Sequence, residues 1–233
     1  MKTGVANPME HVQHVREVED YFDSLAGSWE THYSADGSMR GRLNRFRVPL
    51  MSQVLPPAPV LDFGCGSGDL SAFLSDAGYE VHGVDQAGGM IKRARTRFAG
   101  PLVEFSEVQN AQLPFFDGQF AACVSSSVLE YVAPLGAYLR ELRRVVKKGG
   151  VALVTVPNSY HPVRVVESVE KTLWTIVPRI CNRWPEGRVR YLNASVNRMR
   201  PEKWRRELAG ARWRVEWTEG TSKPLLLICA RAV

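Results

Sequence analysis

Three glycines stand at alternate positions in VLDFGCGSGDLS, residues 60–71, directly behind a short apolar run. Glycines 64, 66 and 68 lack the Cβ atoms that would prevent a sharp turn and keep a ligand off the main chain, and the start of the helix that follows offers free N–H groups to an anion. A dinucleotide fingerprint reads G-x-G-x-x-G, whereas here Asp69 follows Gly68 and the third glycine comes one place early. The Asp69 carboxylate would also face a pyrophosphate, so a ligand carrying one carboxylate and one ammonium suits the loop better. The next apolar run, VHGVD, ends in Asp85, placed to accept hydrogen bonds from two ribose hydroxyls. The competing reading is a strand-end carboxylate that caps the following helix at Gly88.

Two further residues are candidates for proton handling. His161 follows the fifth strand in VPNSYH, and Tyr131 follows the fourth in SSVLEYV, both at the edge of a sheet where a substrate hydroxyl can meet them. A surface-loop histidine and a packing tyrosine are the alternatives. His11, His14 and His32 in the amphipathic N-terminal region and His82 inside a strand are assigned no chemistry. The four cysteines, Cys65, Cys123, Cys181 and Cys229, show no C-x-x-C spacing, which fits reduced thiols and neither a disulfide framework nor a zinc site, so no metal is expected.

These residues need a frame. Apolar runs at Val60–Phe63, Glu80–Val84, Leu102–Ser106, Phe120–Ser125 and Gly150–Val156 alternate with helical patterns at Asp69–Ala77, Gly88–Phe98 and Pro134–Val146. Strands and helices alternating at this spacing imply right-handed crossovers and a parallel sheet covered on both faces. A helix at Pro201–Leu208 and two closing strands, Arg212–Trp217 and Leu225–Ala230, joined by TEGTSKP, complete it. The expected fold is a doubly wound α/β domain whose seven-stranded, mostly parallel sheet has an antiparallel last strand. Residues 1–55 form helices ahead of the sheet, and residues 160–201, without a strand pattern, read as an inserted helical cap within a single domain of 233 residues.

VLDFGCGSG and VHGVD, followed by NAQLPFFDGQF, VSSSVLEYV and LRRVVKKGGVALVTVPN, together resemble the class I S-adenosylmethionine-dependent methyltransferases, in particular the small-molecule branch that includes quinone-biosynthesis enzymes. The similarity spans residues 21–156, with a weaker echo in the last two strands. It implies S-adenosyl-L-methionine as cofactor, with Asp62, Gly64, Gly66 and Gly68 around its methionine part and Asp85 on its ribose. The resemblance places adenine beside Gln86 and Met90 and against Gln109, Asn110 and Ala111, and it adds Ser126 at the end of the fourth strand. Tyr21, Phe22, Trp29 and Tyr33 resemble the family's N-terminal lid, whose rings would shield a sulfonium and attract it through their negative faces; the same rings would equally dock a helix on the sheet. Gln109 stands where the family usually has Asp, and Ala121 replaces a common carboxylate.

The implied activity is transfer of a methyl group to an oxygen, nitrogen or carbon of a small, hydrophobic or anionic acceptor. An in-line displacement needs positioning and exclusion of water, worth roughly 7–11 kcal/mol in the best cases, so a dedicated base is optional. A non-catalytic module that binds the cofactor is the alternative, followed by an RNA methyltransferase; an NAD-dependent oxidoreductase is disfavoured by the glycine spacing. Charge bears on the partner. The chain carries +6 overall, but residues 179–214 hold eleven Arg or Lys against three Glu, a balance of +8 that leaves −2 elsewhere. The basic cap is therefore an ordinary lid, a peripheral contact to a membrane surface or lipid-like substrate, or a phosphate-backbone site. SSSV after the fourth strand in place of N/D-P-P-Y speaks against nucleic acid. The start of the chain has no apolar export segment and the longest apolar run, Leu225–Ala230, is too short to span a bilayer, so a cytoplasmic protein is expected.

Overall fold

The computed structural model describes residues 8–27, 38–98, 100–109, 111–176 and 185–233. Two helices, α1 (Pro8–Leu25) and α2 (Ser38–Gln53), precede the sheet. β1 (Pro59–Phe63), α3 (Asp69–Ser75), β2 (Glu80–Asp85), α4 (Gly88–Arg97), β3 (Val103–Glu107), β4 (Phe120–Ser126), α5 (Leu135–Val145) and β5 (Val146–Pro157) follow. The chain closes with α6 (Pro162–Ile176), α7 (Glu186–Ala194), α8 (Pro201–Gly210), β6 (Trp213–Glu219) and β7 (Leu225–Ala232). The sheet order is β3-β2-β1-β4-β5-β7-β6. β1 to β5 are parallel, and β7 lies antiparallel to both β5 and β6, as the hairpin in the sequence requires.

Alternation along the central strands divides the core between two faces. Leu61, Phe63, Cys123, Ala152 and Val154 join a cluster with Leu139, Leu142, Trp204 and Trp213 under α5 and α8. Val60, Ala122, Val124, Val151 and Leu153 join the other, with Phe46, Leu50, Leu74 and Ile91 under α2, α3 and α4. Each buried indole finds an acceptor: Trp204 donates to Pro157 O at 3.3 Å and Trp213 to Leu139 O at 3.0 Å. Cys65, Cys123 and Cys229 are buried free thiols, and burial pushes all three upward in pKa.

Two features depart from expectation. β5 begins at Val146 and not at Gly150, because Lys147–Gly150 is an irregularity inside the strand: the pairing slips between Phe120 opposite Val146 and Ala122 opposite Val151, and Gly149 takes φ of 77°. Arg164, Arg188 and Arg198 of the cap turn inward. Glu167, on α6, receives Arg164 at 2.9 Å, Arg198 at 2.8 Å and Arg188 at 3.5 Å, while Arg188 also reaches Glu170 at 2.7 Å. Of the basic residues at 179–214, Arg188 and Arg198 are neutralised in this way, while Arg200, Lys203, Arg205 and Arg206 stay exposed. Among the described residues no helix is long and apolar enough to cross a membrane.

Candidate active site

The loop joining β1 to α3 holds its three glycines in the left-handed region, with φ of 74° at Gly64, 53° at Gly66 and 84° at Gly68. Their missing side chains serve two different ends. A Cβ at Gly64 would stand 2.2 Å from Val128 Cγ2, and one at Gly68 2.8 Å from the Phe105 ring, so the protein's own packing closes both positions. A Cβ at Gly66 would meet nothing within 4 Å, because Gly66 borders open space.

Neighbouring strands fix the loop. Gly64 and Cys65 donate their N–H groups to Val84 O at 2.8 and 3.0 Å. Gly66 N–H donates to Asp85 Oδ2 at 2.8 Å, and Ala87 N–H donates to the other carboxylate oxygen at 3.0 Å. Asp85 thus accepts at Ala87, the residue ahead of α4, and makes no side-chain cap at Gly88, while the same carboxylate lines the cleft. Burial raises its pKa against the pull of the Ala87, Gly66 and Gln86 N–H groups. Each oxygen keeps a lone pair for a further donor.

The cleft is open to solvent and has a cavity volume of about 120 Å³. Gly64, Gly66, Asp85 and Gln86 form one wall, Ser126, Ser127 and Val128 after β4 another, and Met90 and Val108 an apolar side. A second cavity adjoins it, reaching Asp62, Ser67 and Asp69, and the two share Arg42, Gly64, Gly66 and Ser126. Arg42, from α2, stands at the junction and donates to Ser126 Oγ at 3.3 Å. Asp69 is already neutralised: Arg97 donates to its two oxygens at 3.0 and 2.8 Å. It presents no uncompensated charge to a ligand, contrary to expectation, and the glycine spacing alone disfavours a pyrophosphate. Asp62 is fully buried and accepts from Ser71 Oγ at 2.6 Å; burial raises its pKa to about 7, and the nearby Asp85 adds to the rise.

α1 roofs the cleft with Val18, Glu19 and Phe22. Asp23 Oδ1 accepts from Gly89 N–H at 2.9 Å, and His14 Nε2 lies 2.7 Å from Tyr131 O. The Phe22 ring meets Tyr131 edge-on at 5.1 Å. From behind, Asn197 Nδ2 donates to Leu129 O and Val132 O at 2.8 and 2.6 Å, and Ser195 Oγ donates to Glu130 Oε2 at 2.7 Å. The cap thereby holds the loop that carries Tyr131 into the cleft. Burial, with the Glu130 charge behind it, pushes the Tyr131 phenol well above its usual pKa, which leaves it a proton donor at neutral pH.

A family profile described as "Methyltransferase domain" matches residues 61–154. The demethylmenaquinone methyltransferase of Renibacterium salmoninarum is 31% identical over 171 residues, covering 72% of this chain and 70% of that protein. The chain belongs to the class I S-adenosylmethionine-dependent methyltransferases. The malonyl-[acyl-carrier protein] O-methyltransferase of Pseudescherichia vulneris is 35% identical over 151 residues, covering 63% of this chain and 56% of that protein. The chain spans about half the length of several curated relatives it matches. In fold, it superposes on the Burkholderia thailandensis 1,6-didemethyltoxoflavin-N1-methyltransferase with a TM-score of 0.68, 17% identity and coverage of 100% of this chain and 93% of that one.

The cleft fits this family's cofactor, S-adenosylmethionine. Gly66 leaves empty the space its Cβ would fill, Asp85 offers free lone pairs beside it, and the Arg42 guanidinium and the Asp62 carboxyl both border the second cavity, where an amino-acid tail needs a cation and an acid. Of the residues expected from sequence, Gly64, Gly66, Asp85, Gln86, Met90, Ser126 and Tyr131 line the cleft, and Asp62 lines the adjoining cavity. Gly68 lies beneath, closed by Phe105. Gln109 reaches Glu107 at 3.5 Å and Ala111 packs on the core, and neither is among the lining residues; Val108 is. Phe22 lines the cleft and Tyr21 does not, though Tyr21 stacks edge-on against Phe22 at 5.1 Å. His161 is not brought to the cleft: its Nδ1 accepts from Val163 N–H at 3.3 Å at the entry to α6. Trp29, Tyr33 and Asn110 lie outside the described residues. Arg42 and Glu19 escaped sequence reasoning. The one available signal for Arg42 was chemical, since a ligand carboxylate in a cleft bordered by Asp62 and Asp85 needs a cation.

Proposed function

We propose that the chain transfers a methyl group from S-adenosylmethionine to an oxygen, nitrogen or carbon of a small acceptor. The cofactor supplies a methyl already activated on a sulfonium, which leaves the protein to bind, orient and keep out water. Gly64 and Gly66 let it approach the main chain, with Gly68 shaping the turn. Asp85 takes the ribose hydroxyls, Arg42 the carboxylate and Asp62 the ammonium, while Gln86, Met90 and Val108 flank the adenine and Ser126 orients Arg42. Phe22 covers the reacting side and Tyr131 donates a hydrogen bond there, holding the acceptor in line. Residues 1–55 act as lid and 160–201 as cap of a single methyltransferase unit.

The open space at Gly66 beside the Asp85 carboxylate carries this reading. The names of the relatives, an O-methyltransferase acting on a carrier-borne acid and a quinone methyltransferase, support a small organic acceptor, hydrophobic or anionic. A peripheral contact of the cap with a lipid surface belongs to the same proposal. Calorimetric titration of S-adenosylmethionine into the protein and into Asp85→Ala is the test: a loss of at least about tenfold in affinity is expected for two hydrogen bonds to a carboxylate. Equal affinities would remove the ribose assignment.

A further inference from the structure

α6 is amphipathic in the inverted sense. Its four charged residues face the protein: Arg164, Glu167 and Glu170 in the ion pairs given above, and Lys171 through Nζ to Ser195 O at 3.1 Å. Outward stand Val163, Val165, Val166, Val169, Leu173 and Ile176, between 46% and 70% exposed. The hydroxyl donors on the same side are committed as well. Ser168, Thr172 and Thr175 each donate back to the carbonyl four residues earlier, at 2.8, 2.9 and 2.9 Å. Over fifteen residues the exposed side of this helix carries no charge, the reverse of a helix that packs on a core and faces water.

We propose that this face seats the protein on a phospholipid bilayer, with α6 lying along the boundary between headgroups and acyl chains. A folded protein partner, a second copy included, is ordinarily registered by about one hydrogen bond per 100–200 Å², and this face has spent its hydroxyl donors internally. Hydrocarbon asks for none. The flanks supply what headgroups need. At the start of α6 the Arg200 guanidinium lies 5.7 Å over the exposed Tyr160 ring, a pairing of aromatic and cation suited to the interface. Arg200 is itself exposed at the entry to α8, which gives an anionic headgroup a complement there. α6 also follows β5 directly, at the sheet edge where β1, β2 and β4 border the cleft. The acceptor class this favours is a lipid-dissolved small molecule, and that clause alone rests on the methyltransferase reading.

The experiment is co-sedimentation of the full chain with vesicles of phosphatidylcholine containing about one quarter phosphatidylglycerol, at low and high salt. The wild-type protein is expected to sediment with the vesicles and to keep much of its binding at high salt, since apolar insertion is not screened. Val169→Glu and Leu173→Glu, both on the exposed face and so neutral for folding, are each expected to weaken binding by about tenfold or more. Their S-adenosylmethionine affinity and thermal unfolding should match wild type. No sedimentation of the wild type, or equal sedimentation of the variants, would overturn the proposal. So would a concentration-dependent dimer, seen by ultracentrifugation and abolished by the same substitutions, in a protein that ignores vesicles. Vesicle binding without cofactor binding would sink the methyltransferase reading and leave this one standing.

Discussion

Gly66 and Asp85, 19 residues apart, are joined by a 2.8 Å hydrogen bond from the glycine N–H to Asp85 Oδ2. The bond ties the ends of β1 and β2 at the mouth of the cleft and leaves the glycine's absent side chain pointing into space. Gly66→Ala should therefore fold, losing about 1 kcal/mol to its φ of 53°, yet bind S-adenosylmethionine at least about tenfold more weakly, since the methyl fills the cradle. Gly64→Ala, whose Cβ would lie 2.2 Å from Val128, should lose about 2–4 kcal/mol of stability. Denaturant unfolding and calorimetry on the pair separate the two roles; undiminished affinity in Gly66→Ala would contradict the site.

Arg42 is the cation shared by both cavities. Removing it with Arg42→Gln should weaken S-adenosylmethionine by about 10- to 100-fold, the range of a charge-assisted hydrogen bond. Affinity for methylthioadenosine, which lacks the amino-acid tail, should stay put. A parallel loss of both ligands would mean that the arginine shapes the cleft and holds no carboxylate.

Asp62 makes both stability and binding depend on pH. Its carboxyl holds a proton up to about pH 7 in the folded protein, against a reference value of 3.8. Between those values the folded state binds more protons than the unfolded one, so this group's contribution falls as pH rises, by on the order of 4 kcal/mol when complete. A cofactor ammonium favours the ionised form, so binding releases the proton and affinity should drop as pH falls below 7, by up to about tenfold per unit. Asp62→Asn should flatten both profiles relative to wild type. Calorimetry in buffers of different ionisation enthalpy reads the proton directly.

Glu167 answers for the cap. Although burial opposes it, Arg164 and Arg198 hold its carboxyl below the usual range. Glu167→Ala leaves those guanidiniums buried without their partner and should cost about 3–5 kcal/mol. Hydrogen exchange should place the loss in α6, α7 and the strap at Ser195–Asn197 that clamps the Tyr131 loop.

The parallel strands were legible because glycines and prolines punctuate short apolar runs at regular spacing, and each run needs only its own residues to be read. The same locality explains the misses. KKGG at 147–150 reads as a turn, and only pairing with Phe120 and Ala122 reveals it as an irregularity within β5. Arg42 is one of four arginines in MRGRLNRFR, and nothing in the linear pattern says which of them the second cavity meets. The cap's charge was visible as a balance, but its inward pairing depends on α6 and α7 meeting face to face. Conversely, Asp85 was found because it stands at a strand end, the place a switch-point ligand must use.

Tyr131 and His161 separate two accounts of the proton. Burial keeps the Tyr131 phenol protonated far above neutrality, so it orients an acceptor by donating and cannot accept a proton in turnover. His161 serves α6 through Val163 and lies off the cleft lining. Tyr131→Phe should lower methyl-transfer kcat by about tenfold, a donor's worth, without moving the pH profile between 6 and 9. His161→Ala should leave kcat within about twofold, since positioning alone can carry the reaction. A steep loss of activity in His161→Ala, with an ionisation vanishing from the pH–rate profile, would require the histidine to swing into the cleft and would return the base to it.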